Sequence, residues 1–170
     1  EADISECDRR ELLHMSNIIR VAGNELVAVM KKQYEQLLRT KRYRRLRDMY
    51  AKAKKTEDKK KISAITAEMT EMQKSYHVTW EFCRKSMIEI NQKYNINSIF
   101  ALSKAEDVWQ AVEKCLFSDG KAIHFKKYGD YPEIRAKQAN RGIVISADND
   151  GIRLKIGKTK LRPIINKHKH

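Results

Sequence analysis

Cysteine is scarce in this chain and poorly placed for chemistry: Cys7, Cys83 and Cys115 are an odd number at long spacing, and none belongs to a CxxC pair. Neither a disulfide framework nor a thiolate zinc site is therefore supported, and a reduced compartment fits best. No apolar run approaches the roughly 18 to 20 residues of a membrane span. The acidic start, Glu1 to Glu6, is opposite in character to a secretory leader. The expectation is a soluble, cytoplasmic protein. GxSxG, Walker, HExxH and dinucleotide-binding motifs are all missing, and there is no internal repeat. Catalysis within this chain is not expected, and no cofactor or metal is implied.

The residues that come nearest to a metal site have simpler readings. Glu68 with Glu71, or Glu106 with Asp107 and Glu113, could approach Mg²⁺, but acids on helix faces ordinarily serve solvation and ion pairing. His168 and His170 belong to a basic tail, and His14, His77 and His124 lack convergent partners. The chain begins without methionine and stops on Asn166–His170 without a closing element, so it reads as a piece of something longer.

What the chain does have is positive charge, +14 in all, unevenly held. Residues 31–61 carry fourteen Lys/Arg against four Asp/Glu, and residues 121–170 carry thirteen against four; everything else sums to −5. Two cationic surfaces on a mildly acidic scaffold suit an extended polyanion, because each cation near a phosphate releases condensed counterions.

Hydrophobic periodicity predicts an α+β chain: about five helices over 1–120, a small antiparallel β module over 121–165, and a basic tail over 166–170. Asp8 and Glu11 have capping-box spacing ahead of a long helix over 9–39 whose apolar residues include Leu12, Ile19, Leu26 and Leu37. Residues 42–55 form a basic helix with only Tyr43, Leu46, Met49 and Tyr50 to bury. Thr56 is placed to cap a third helix, in which Ile62, Ile65, Met69, Met72 and Tyr76 make a 3,4 seam for helix one or two. Thr79 opens a fourth, and a Ser103–Glu106 box opens a fifth, which ends at Asp119-Gly120.

Beyond Gly120 the period changes. Residues 122–125 alternate as a strand, with His124 facing away from Ile123 and Phe125. Gly142–Ala147 and Ile152–Ile156 flank an Asn149-Asp150-Gly151 turn and read as a hairpin, followed by a segment over 161–165 that Pro163 makes an edge strand or a strand end. The basic connection Tyr128–Arg141 is too long for a simple turn and is a candidate functional loop.

These elements place the candidate ligand contacts. On the basic helix they are Arg42, Arg44, Arg45, Arg47, Lys52 and Lys55, with Tyr43 and Tyr50 as stacking residues for bases or sugars, or as core. In the β region they are Lys126, Lys127, Arg135, Lys137 and Arg141, then Arg153 and Lys155 on the polar face of their strand, continued by Lys160 and Arg162. One surface is a helix face and the other a sheet face, a geometry that could grip opposite sides of one duplex.

The run Val108–Phe117, then Asp119 to Lys121, His124 to Lys127, Lys137, and Gly142-Ile143 before a hairpin resembles the N-terminal part of TnpB-like proteins. These are transposon-associated relatives of type V CRISPR effector nucleases. The resemblance implies a helical recognition lobe joined to a wedge-like β module, with residues 42–55 facing a guide–target heteroduplex and Lys126, Lys127, Lys137 and the hairpin touching RNA. Where that family is expected to carry Gly-Lys-Ser-Asn, this chain has Ala136 to Ala139, keeping only Lys137. The acidic RuvC motifs and zinc-ribbon cysteines are absent, so the resemblance implies the RNA- or DNA-binding half of an RNA-guided nuclease without its catalytic half. The alternative is a protein-interaction module whose Ile62–Tyr76 seam pairs with itself or with an acidic partner.

Overall fold

The computed structural model describes residues 2–118, 120, 122–130, 134–135, 141–148, 151–157, 159–161 and 164–165. Within them lie five α-helices and a small three-stranded antiparallel sheet, the expected α+β architecture. None of these helices is long and apolar enough to cross a membrane.

Helix α1 (Glu6–Arg39) is the spine, about 50 Å long for its 34 residues. It starts at Ser5 rather than at the Asp8–Glu11 box: the Ser5 hydroxyl accepts the Asp8 amide at 3.1 Å, and Glu6 and Asp8 then oppose the helix dipole. Ile19, Ala22, Leu26, Met30 and Leu37 form its buried stripe. Two helices pack along it. Helix α4 (Trp80–Tyr94), capped by Thr79 as expected, runs antiparallel, with Tyr94 Oη donating to Glu25 at 2.8 Å. Helix α5 (Ser98–Phe117) runs parallel, since Lys104 lies against Gly23 and the Cys115 carbonyl accepts from Tyr34.

Helix α5 begins five residues before the expected Ser103 box. Asn97 is the cap, accepting the Ile99 amide, which frees Ser103 to sit buried mid-helix and donate to the Arg135 carbonyl at 3.2 Å. The glycine at position 120 has a steric reason. The Ser118 and Gly120 amides both donate to the Lys114 carbonyl, and a Cβ on Gly120 would fall 2.7 Å from the Cys115 nitrogen.

Helices α2 (Lys41–Lys55) and α3 (Lys59–Ser75) form a hairpin on the C-terminal end of α1. The cap of α3 is Asp58, which accepts the Lys61 amide, while the Thr56 hydroxyl turns back to the carbonyls of Lys52 and Ala53. Ile65 and Met69 of the α3 seam are buried and α3 packs on α2, one of its two expected partners.

After α5, residues 122–127 form no strand, contrary to expectation. Asn24 takes their backbone groups: its Nδ2 donates to the Lys126 carbonyl and its Oδ1 accepts the Lys126 amide, both at 2.9 Å. Without strand alternation, Ile123 is buried while His124 and Phe125 are both exposed. The expected hairpin forms from β2 (Ile143–Asp148) and β3 (Gly151–Ile156), and β4 (Thr159–Leu161) adds to β3. The expected 161–165 strand divides: Leu161 ends β4, whereas β5 (Ile164–Ile165) pairs with β1 (Ala2–Asp3) at the other end of the chain. Pro163 lies outside the described residues. The sheet meets the helices at Gly157, whose φ of +62° follows β3 and whose Cβ position is 3.4 Å from Phe100 and 4.0 Å from Met15.

Candidate nucleic-acid interface

The narrow apolar stripe of α2 decides which of its cations reach solvent. Tyr43, Leu46 and Ala53 are buried, so Arg44, Arg45, Lys52 and Lys55 are exposed, and they form no ion pair among the described residues. Arg42 is exposed but paired across the hairpin with Glu68, 2.6 Å away. Arg47 has a different role. Its half-buried guanidinium donates to the Cys115 carbonyl at 3.5 Å, beside the 3.0 Å bond from Tyr34 Oη, so it caps the electronegative end of α5.

Neither expected stacking residue presents an open ring. Tyr43 is fully buried, its hydroxyl accepting from Gln73 Nε2 at 3.1 Å. Tyr50 is half-buried with its ring edge-on to Phe117, 6.3 Å between centroids. Both sit on the side of α2 that faces the core, as the spacing from Tyr43 through Leu46 to Tyr50 requires.

The second surface begins where Asn24 holds Lys126. Arg20 Nη1 also donates to the Lys126 carbonyl, at 3.3 Å, and the backbone then turns sharply: the Asp130 amide donates to the Lys127 carbonyl, the Lys127 amide to the Asp130 carboxylate, and Gly129 takes φ +90°. The Lys126 and Lys127 side chains are exposed. Arg135 instead bonds Asp107, whose other oxygen is 3.7 Å from Lys104 Nζ. On the sheet, Lys155 stands directly opposite Lys160, and Arg153 opposite Ser146. Arg153, Lys155 and Lys160 are exposed on one face, while Ile143 and Ile156 of the other face pack on the core. Arg141 is exposed at the entry to β2. Lys137 and Arg162 lie outside the described residues.

The two surfaces are attached to opposite ends of α1. The sheet sits at the level of Met15 and the α2–α3 hairpin beyond Leu37, a separation of about 33 Å at 1.5 Å per residue. They are thus spaced along the spine, with Arg20, Lys126 and Lys31 between, rather than set as two walls of a groove. An extended polyanion of about ten stacked nucleotides has that length.

Sequence reasoning missed Lys104, which is only 8% exposed; its stem lies over Gly23, where a Cβ would come within 2.5 Å of Cε. Burial lowers its pKa, against the pull of Asp107, and Lys126 and Arg135 lower it further. The one signal was the glycine inside α1, whose partner a local pattern cannot identify. Burial also pushes the Cys83 thiol up to about 12 and raises that of Cys115, so neither is a poised nucleophile. Among the described residues no group of His, Cys, Asp or Glu is arranged to hold a metal ion. His77 stacks on Phe82, 5.1 Å between centroids, and His14 lines a cleft of about 390 Å³ with Glu11 and Tyr94.

Compared with known protein families, curated proteins and solved structures, the chain matches none.

Proposed function

We propose that this chain binds structured RNA or an RNA–DNA hybrid through its sugar–phosphate backbone, as a cytoplasmic, non-catalytic binding module. The observation that carries the reading is the set of exposed cations with no acidic partner among the described residues: Arg44, Arg45, Lys52 and Lys55 at one end of α1, Lys155, Lys160 and Arg141 in the sheet region toward the other, and Lys126 and Lys127 between. Lys155 facing Lys160 is the most telling pair. Like charges directly opposite on adjacent strands destabilise a sheet, and a bound phosphate relieves that cost. The resemblance of residues 108–143 to TnpB-like proteins adds a finer proposal, that the parent protein is an RNA-guided nuclease whose catalytic domain lies outside this chain.

Mobility shifts with a 20-base-pair RNA–DNA hybrid test the reading. Alanine at Arg44, Arg45, Lys52 and Lys55 should weaken binding, and so should alanine at Lys155 and Lys160, each lost phosphate contact making the salt slope shallower by about 1. Unchanged affinity in both variants, with folding intact by circular dichroism, would refute it.

A further inference from the structure

Two aromatic side chains that a soluble domain would normally hide stand open in the segment that Asn24 clamps to α1. Tyr128 is 80% exposed and Phe125 49% exposed. Each has a cation over its ring: Arg20 Cζ is 5.7 Å from the Tyr128 centroid, and Lys31 Nζ is 5.6 Å from that of Phe125. Between them lie Lys126 and Lys127, both exposed. We propose that Phe125 and Tyr128 form a stacking platform for unpaired bases, with Lys126 and Lys127 holding the phosphates of the same single strand; this rests on the nucleic-acid reading above and narrows it to a single-stranded segment.

The backbone beneath the rings is held in place. Lys126 is held at both its amide and its carbonyl by Asn24, and the 127–130 turn, with Gly129 in the left-handed region, sets Tyr128 at its apex. Three residues of chain keep the two Cα atoms within about 10 Å of one another, so both rings belong to one short segment. A base on the outer face of either ring would complete a cation–ring–base sandwich, and base–aromatic stacking tolerates any sequence because every base has a π-face. The alternation of rings and cations also favours a nucleic acid over a protein or lipid partner: among the described residues, the chain neighbours His124, Lys126, Lys127 and Asp130 are all polar and exposed. The Asp130 carboxylate is engaged by the Lys127 amide within the turn.

The test uses the full chain with a fluorescently labelled 12-nucleotide single-stranded RNA carrying 2-aminopurine, and a duplex of the same sequence. Wild type should bind both and quench the 2-aminopurine. Phe125→Ala with Tyr128→Ala should lose about tenfold to a hundredfold in single-strand affinity and lose the quenching, while duplex affinity and the salt slope stay within error. Tyr128→Trp should retain both affinity and quenching, which a merely structural role for Tyr128 would not predict. If the double variant binds the single strand as wild type does, or weakens for strand and duplex alike, the platform is wrong while the backbone reading stands. Wild type that binds neither probe overturns both.

Discussion

Replacing Gly23 by alanine puts a methyl group where Lys104 now lies. The added Cβ would be 2.5 Å from Lys104 Cε, 3.1 Å from Cγ and 3.3 Å from Cδ, so the far end of this flexible side chain has to swing aside while Cγ and Cδ give by a few tenths of an ångström. Returning the Cε methylene to water costs about 0.8 kcal/mol. The same substitution removes a glycine from a helix interior, a gain of about 1 kcal/mol. The two nearly cancel, and the net expectation is a change within about 0.5 kcal/mol, measured by urea unfolding at neutral pH. In a Lys104→Ala background nothing opposes the methyl group, and Gly23→Ala should then stabilise by about 1 kcal/mol. The gain therefore appears only when Lys104 is absent. An equal gain of about 1 kcal/mol in both backgrounds would show that Lys104 is not seated over Gly23, and the packing of α5 on α1 would be wrong at its centre.

Three other outcomes follow from named contacts. Arg47→Ala should cost about 1 kcal/mol in thermal or urea unfolding, because it uncaps the Cys115 carbonyl at the end of α5, whereas Arg44→Ala and Arg45→Ala should leave stability within about 0.5 kcal/mol and act on binding alone. Tyr43→Phe should lower stability by about 1 to 2 kcal/mol by orphaning the buried Gln73 amide, and should not change nucleic-acid affinity; a binding defect in a folded Tyr43→Phe protein would restore Tyr43 as a contact. Cys83 titrates near about 12 when folded, against about 8.5 when unfolded. Its contribution to stability is complete below the unfolded value and falls as pH rises through the window between them, by up to about 1.4 kcal/mol per pH unit. Unfolding at pH 8 and pH 10 should show a steeper loss in the native chain than in Cys83→Ala, and equal slopes would mean the thiol is solvated.

Local pattern carried the helices and failed at their ends for a consistent reason. Periodicity placed α1 to α5, but Ser5 competed with Asp8, Asp58 with Thr56 and Asn97 with Ser103, and in each pair both residues are chemically able to cap. The same periodicity already put Tyr43 and Tyr50 on the buried stripe of a helix with little else to bury. The exposed rings were harder to find. Phe125 reads as a strand's inward residue until Asn24, 102 positions before Lys126, takes the backbone groups a ladder would have used. Lys104 against Gly23, Arg47 against Cys115 and β1 against β5 are likewise contacts across long stretches of chain, and no window of local sequence contains both members of any of them. The hairpin and its lysine face were legible because turn chemistry and strict alternation are local.

The central claim, backbone recognition by two cationic surfaces spaced along α1, is tested most directly by the salt dependence of binding to a 20-base-pair RNA–DNA hybrid. Neutralising about six to nine phosphates predicts a line of log K against log salt with a slope of about −5 to −8, shallower by about 3 to 4 when Arg44, Arg45, Lys52 and Lys55 are alanine. A flat line, or no binding near about 100 mM salt, would contradict it.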